Sequence, residues 1–188
     1  MLPYRQGDLD SLCGLYAILN AVRWADRHHN RLNRADHKAL FDRLIEVSDQ
    51  GDTLTAIVRH GTTIPEMSRL LHVAADDVSR HHGLHLTISK PFHRYREAPA
   101  RIVLAAIARH TRDHANGVIA MTRHADAHWT LITAITPKRL ELFDSTSRQW
   151  LRSEQCRFAA SAQQQTRLLP PAGLFFVALS QAQSRIVE

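Results

Sequence analysis

The chain has 188 residues, 44% apolar and 22% charged, a balance that suits one folded domain and excludes a disordered tail. Its net charge is +6, and no uninterrupted apolar run is long enough to make a bilayer-spanning helix. Two cysteines, Cys13 and Cys156, exclude both a disulfide-stapled scaffold and a zinc site built from paired cysteines.

In chain order, Met1 to Gln6 lacks the basic start, apolar stretch and cleavage site of a secretory signal. A cytoplasmic protein is therefore expected, unless it is exported by a system that needs no cleaved signal. Leu12, Leu15, Tyr16, Leu19 and Val22 recur at three- and four-residue spacing, which predicts a helix over residues 12–25. Asp10 or Ser11 is its natural cap. Asn33 predicts the start of a second helix with Leu40, Phe41, Leu44 and Ile45 on its apolar face. A third is expected from Ile64 to His82, with Thr63 as cap, Pro65 in the first turn and Gly83 as the stop. Leu84 to Ile88 alternates as a short strand, and residues 99–114 return to helix with Ile102, Val103, Ala106 and Ile107 inward.

The remainder reads mainly as strand: Val118–Met121, Trp129–Thr136, Leu140–Phe143 and, after the Pro170-Pro171 break, Gly173–Leu179. The polar stretch 153–168 is expected as a loop or a ragged helix. No repeat or linker divides the chain, so residues 1–188 are read as a single domain. The class is α+β, helices first and then an antiparallel sheet. Residues 26–118 are read as a helical insertion that shapes specificity.

The chemistry is expected around Cys13. A Gly- and Asp-rich loop, Gln6-Gly7-Asp8-Leu9-Asp10, runs into a helix whose first turn holds the cysteine. Free backbone N–H groups and the helix dipole favour an anion there, so a thiolate is stabilised and an oxyanion can be held. Gly14 is expected to keep the neighbourhood open for a substrate. Cys156 reads as a small buried hydrophobe.

A base lies downstream. If Thr136-Pro137-Lys138 is the hairpin loop, His128 faces Thr146, and Asp144 becomes its diagonal neighbour on the same face. Diagonal neighbours sit about 7–8 Å apart at the backbone, within reach of an imidazole and a carboxylate. Asp144 would then orient the ring and stabilise its protonated form. His124 and Asp126, in the preceding loop, are the nearest competitors. His110 and His114 stand four apart on a predicted helix but lack a third ligand, so no metal is expected; His81, His82 and His85 surround a helix end, where histidines suit the dipole.

Gln6, Cys13-Gly14 on a helix, His128-Trp129 and Asp144-Ser145, in that order, resemble the papain-like cysteine peptidase superfamily. Within it the closest resemblance is to the bacterial peptidases that process double-glycine (bacteriocin) leaders, and to their stand-alone relatives. Those carry a glutamine shortly before Asp-Cys-Gly and a histidine some sixteen residues before an aspartate, the interval between His128 and Asp144 here. The chain is also similar to the Josephin deubiquitinases in Ser11-Leu12-Cys13, His128-Trp129 and Leu19-Asn20.

The resemblance implies a papain-like fold, with the nucleophile helix of an N-terminal helical part packed on a C-terminal antiparallel sheet. It implies a thiol protease without cofactor, with Cys13 as nucleophile, His128 as base, Asp144 as its orienting acid and Gln6 as oxyanion donor. Gln6 stands seven residues before Cys13, a slightly longer interval than the family's usual one. No ATP-binding cassette or membrane segment follows, which points away from a transporter-attached leader peptidase. The substrate expected is a protein or peptide, ubiquitin-like proteins included. Two alternatives are a Cys-His-Asp glutamine deamidase or transglutaminase-type acyltransferase, and a non-catalytic basic binding module. Against the last, the arginines are scattered among acids with no basic block, so nucleic acid is not the expected partner.

Overall fold

The computed structural model describes residues 1–7, 11–50, 53–123, 127–161 and 167–181. Among them are five α-helices: α1 (Cys13–Asp26), α2 (Arg34–Gln50), α3 (Leu54–His60), α4 (Ile64–His82) and α5 (Ala100–His110). Eight strands form one open sheet: β1 (Leu84–Ser89), β2 (Gly117–Arg123), β3 (Ala127–Ile135), β4 (Arg139–Phe143), β5 (Trp150–Arg152), β6 (Cys156–Arg157), β7 (Arg167–Leu168) and β8 (Leu174–Gln181). The main path runs β1-β8-β2-β3-β4-β5 and is antiparallel throughout, and the short β6–β7 pair, joined to β2, is parallel. The protein is α+β. No helix among the described residues is long and apolar enough to cross a membrane.

The sheet is buried on both faces, and residue parity sorts its side chains. Ile119, Met121, Trp129, Leu131, Phe143, Phe175 and Val177 pack with α1, α2 and α4. Val118, Ala120, Ile132, Leu174 and Phe176 face the other way, onto Val103 and Ile107 of α5 and onto Phe158 and Leu169. A strand covered on both sides has no polar face, so β2 reads as a continuous apolar run rather than an alternation. Cys13 belongs to the first core and Cys156 to the second, and both are free thiols.

Local chemistry explains the helix boundaries. Asn33 Oδ1 accepts from the N–H groups of Ala35 and Asp36, while Asp36 returns a bond to the Asn33 N–H. Thr63 and Glu66 form the same reciprocal box at the start of α4, and Gly83 closes that helix at φ +62°, where a side chain would be strained.

Three expectations are corrected. Ile102 is exposed and only Val103 and Ile107 of the expected α5 quartet are fully buried, because eleven residues of helix present a narrow stripe to the sheet. The described part of the 153–168 stretch contains a 3₁₀ turn, Ser153–Gln155, and the short strands β6 and β7. The short α3 follows no three-turn apolar pattern and was not foreseen. The 26–118 segment holds α2 to α5, but also β1, which forms one edge of the sheet against β8, and the first residues of β2.

Candidate active site

Cys13 is the first residue of α1, and α1 packs on β3. Leu12 occupies the cap position at φ −80°, ψ 15°, and among the described residues no side-chain cap is formed there. The expected cap at Ser11 is therefore not formed, and Asp10 lies outside the described residues. Backbone N–H groups at a helix start favour an anion, and Cys13 stands in that first turn. The Cys13 sulfur lies 3.9 Å from the Ser11 carbonyl oxygen and the residue is 5% exposed.

His128 is the second residue of β3, and Asp144 follows the last residue of β4. His128 Nε2 and Asp144 Oδ2 are 2.8 Å apart, with the carboxylate fully buried and the imidazole about a fifth exposed. The other oxygen of Asp144 accepts from the Thr146 N–H at 2.7 Å and the Thr146 hydroxyl at 2.6 Å. With Nε2 committed to the acid, Nδ1 is the nitrogen left for the thiol. Burial alone would lower the His128 pKa, but the hydrogen bond and charge of Asp144, with the Cys13 thiol acting in the same sense, raise it to about 9. Burial likewise opposes charge on Asp144, yet His128 and Thr146 hold its carboxyl below the usual carboxylate range. A thiol, an imidazole protonated at neutral pH and a buried carboxylate thus stand in series.

The hairpin that joins His128 to Asp144 differs in detail from the expected one. Thr136 and Arg139 bond each other through both backbone pairs, so the loop is the two residues Pro137-Lys138. That shifts the register by one at Ile135–Leu140. A bulge between Ile132 and Ala134 then absorbs one residue, restoring the expected pairing at Ile132–Leu142 and Leu131–Phe143. One step further Asp144 comes level with Thr130, two residues along the strand from His128.

The glycine after the cysteine has a packing role, not the expected openness to substrate. A Cβ at Gly14 would meet Thr62 Oγ1 at 2.3 Å and Thr62 Cβ at 2.6 Å. Thr62 is in turn held by Trp129, whose buried indole N–H donates to its carbonyl at 2.8 Å. Trp129 also tilts against Phe175 at 5.9 Å between centroids, so it is a core side chain that ties the residue after His128 to the residue after Cys13.

Gln6 reaches the same neighbourhood. Its N–H donates to the Ser145 carbonyl at 3.2 Å, beside Asp144, and its side-chain oxygen is buried. Asn20, on α1, binds both backbone groups of Tyr4: Oδ1 accepts the Tyr4 N–H at 2.7 Å and Nδ2 donates to the Tyr4 carbonyl at 3.2 Å. Sequence reasoning did not single out Thr62, Thr146 or the Asn20–Tyr4 pair. The one available signal was Asn20 itself, a polar residue within the apolar stripe of a helix.

The described competing groups have partners of their own. His124 and Asp126 fall outside the described residues. His110 Nε2 pairs with the Val177 carbonyl at 3.0 Å. His81 Nδ1 lies 3.1 Å from the Asp77 carbonyl and 3.3 Å from its carboxylate, the satisfied helix-end arrangement. No group of three or more His, Cys, Asp or Glu side chains able to hold a metal occurs among the described residues. The Cys156 thiol donates to the Arg152 carbonyl, and burial pushes its pKa up to about 11. The chain matches no family model, no curated protein and no solved structure.

Proposed function

We propose that the protein is a thiol-dependent hydrolase of papain-like type that cleaves a peptide or isopeptide bond through an acyl-thioester on Cys13. The observation that carries this reading is His128, bonded to Asp144 at 2.8 Å, with its pKa raised to about 9 by that carboxylate and by the Cys13 thiol. At neutral pH such an imidazole keeps its proton, and a thiol beside it can be present as a thiolate paired with imidazolium. The thiolate adds to the substrate carbonyl. The oxyanion is received by first-turn N–H groups and the Gln6 amide, and His128 gives its proton to the leaving amine. Water, deprotonated by His128, then releases the acid and restores the thiol. Asp144 does not exchange protons; it fixes the ring and stabilises its charge.

The substrate in this reading is a protein or peptide, and ubiquitin-like proteins are the first class to try. The test is labelling and turnover together. Iodoacetamide at neutral pH is expected to modify Cys13 well before Cys156, whose raised pKa leaves little thiolate. Cys13→Ala is expected to abolish acyl-enzyme formation with electrophilic peptide and ubiquitin-like probes while keeping the fold. Equal labelling of the two cysteines, with a fully active Cys13→Ala protein, would overturn the reading. Intact-mass analysis of a treated protein substrate separates a cut chain from a deamidated or cross-linked one.

A further inference from the structure

Residues 4–6 are pinned at both ends to the elements that carry the triad. Asn20, 1% exposed, lies two turns along α1 from Cys13 and grips the N–H and the carbonyl of Tyr4 together. Two residues on, the Gln6 N–H is bonded to Ser145, the immediate neighbour of Asp144. The guanidinium of Arg23 covers the Tyr4 ring at 4.4 Å, and His37 meets that ring edge-on at 5.5 Å. Burying an amide among the apolar side chains of α1 is costly unless both its donor and its acceptor are used. In Asn20 both are used, and both on one backbone unit. Such a grip sets the position and direction of the segment, which a single bond would not.

We propose that Asn20 is a positioning residue: by clamping Tyr4 to the nucleophile helix it delivers the Gln6 side chain to the oxyanion formed at Cys13. This rests on the thiol-hydrolase reading above. Cys13 belongs to α1 and Asp144 adjoins Ser145, so the two anchors of the segment are the two bodies whose separation defines the reaction centre. An amide donor held to both keeps its aim when either shifts slightly, the preorganisation on which oxyanion stabilisation depends.

The test separates reactions of Cys13 that develop an oxyanion from one that does not. With p-nitrophenyl acetate the thiolate adds to the carbonyl carbon and the C=O pair moves onto oxygen. Its return expels p-nitrophenolate, and water then hydrolyses the thioester. With iodoacetamide the thiolate displaces iodide at a saturated carbon and no oxyanion forms. Gln6→Ala and Asn20→Ala are each expected to slow acylation by about tenfold or more, through kcat rather than KM, and the double variant to be no slower than the worse single one. The alkylation rate of Cys13 and the pH dependence set by His128 are expected to stay within about twofold of wild type. Asn20→Asp, which keeps the acceptor for the Tyr4 N–H but loses the donor, is the second variant if Asn20→Ala does not fold. It is expected to lose acylation while retaining alkylation. Additive losses in the double variant, parallel losses in alkylation, or full acylation rates in both Asn20 variants would overturn the role. A wild-type protein that forms no acyl-enzyme, or a Cys13→Ala protein that turns over as fast, would instead remove the underlying reading and the role of Asn20 with it.

Discussion

Asp144 is a fully buried carboxylate, and a buried carboxylate is tolerated only where every oxygen has a partner. One oxygen takes the imidazole and the other takes two donors from Thr146. The pair therefore depends on charge at His128, and the isosteric change to an amide tests it. In Asp144→Asn, only the Cys13 thiol still opposes burial, so the His128 pKa is expected to fall well below about 9. A histidine titration followed by NMR would show this directly. Acylation at pH 7 is expected to drop by about 10²-fold or more, since the ring loses both its orientation and its charge stabilisation. A titration that stays near 9 in the variant would show that the thiol, not the acid, holds the proton on His128.

At the scale of elements, the distance from Cys13 to His128 is set by contacts that neither residue makes. Gly14 sits against Thr62, Thr62 is hydrogen-bonded to Trp129, and Trp129 follows His128 on β3. Adding one methyl at Gly14 meets the Thr62 side chain well inside van der Waals contact. Gly14→Ala is expected to destabilise the fold by about 1–3 kcal/mol in urea denaturation, as overpacking of a filled core does, and to slow acylation by displacing α1. Thr62→Gly removes the atoms it meets, so the double variant is expected to be more stable than Gly14→Ala alone. That non-additive coupling is the mark of direct contact. At the start of α4, Thr63→Ala is expected to cost about 1 kcal/mol by undoing the reciprocal cap, without change in acylation.

These elements also show what can be read from a sequence. Helix α4 was legible residue for residue because its cap, its proline, its apolar stripe and its stop glycine are all local signals. The His128–Asp144 pairing was legible from strand periodicity, although the route to it was not. The hairpin loop is one residue shorter than expected, and a bulge that leaves no mark in composition cancels the difference. The Gly14–Thr62 and Asn20–Tyr4 contacts were illegible, because they join segments distant in the chain through packing geometry with no period of its own. Ile102 fails for a related reason: a helix pattern gives a stripe, but the partner surface decides how wide a stripe is covered.

For the molecule as a whole, two histidines of opposite character, the partly buried His128 and the buried His37, bound the pH range of stability. His128 has a folded pKa near 9, above its ordinary 6.5. Its contribution is fully present below pH 6.5 and is lost as pH rises through about 9, and the shift corresponds to on the order of 3 kcal/mol. His37 is held neutral: burial lowers its pKa first, and the charge on Arg23 adds to this. Its contribution is present above pH 6.5 and is lost as pH falls through its depressed value. Asp144 acts in the same sense further down, since its lowered pKa gives stability that disappears on acidification below the ordinary carboxylate range. The stability maximum is therefore expected near pH 6.5, with an alkaline limb belonging to the His128–Asp144 pair and an acid limb belonging first to His37. Urea midpoints from pH 4 to 9.5 would trace both limbs. Asp144→Asn is expected to flatten the alkaline limb and leave the acid one, and His37→Gln to do the reverse. If the alkaline limb persists unchanged in Asp144→Asn, its origin is not the His128–Asp144 pair, and the charge assignment within the site must be redrawn.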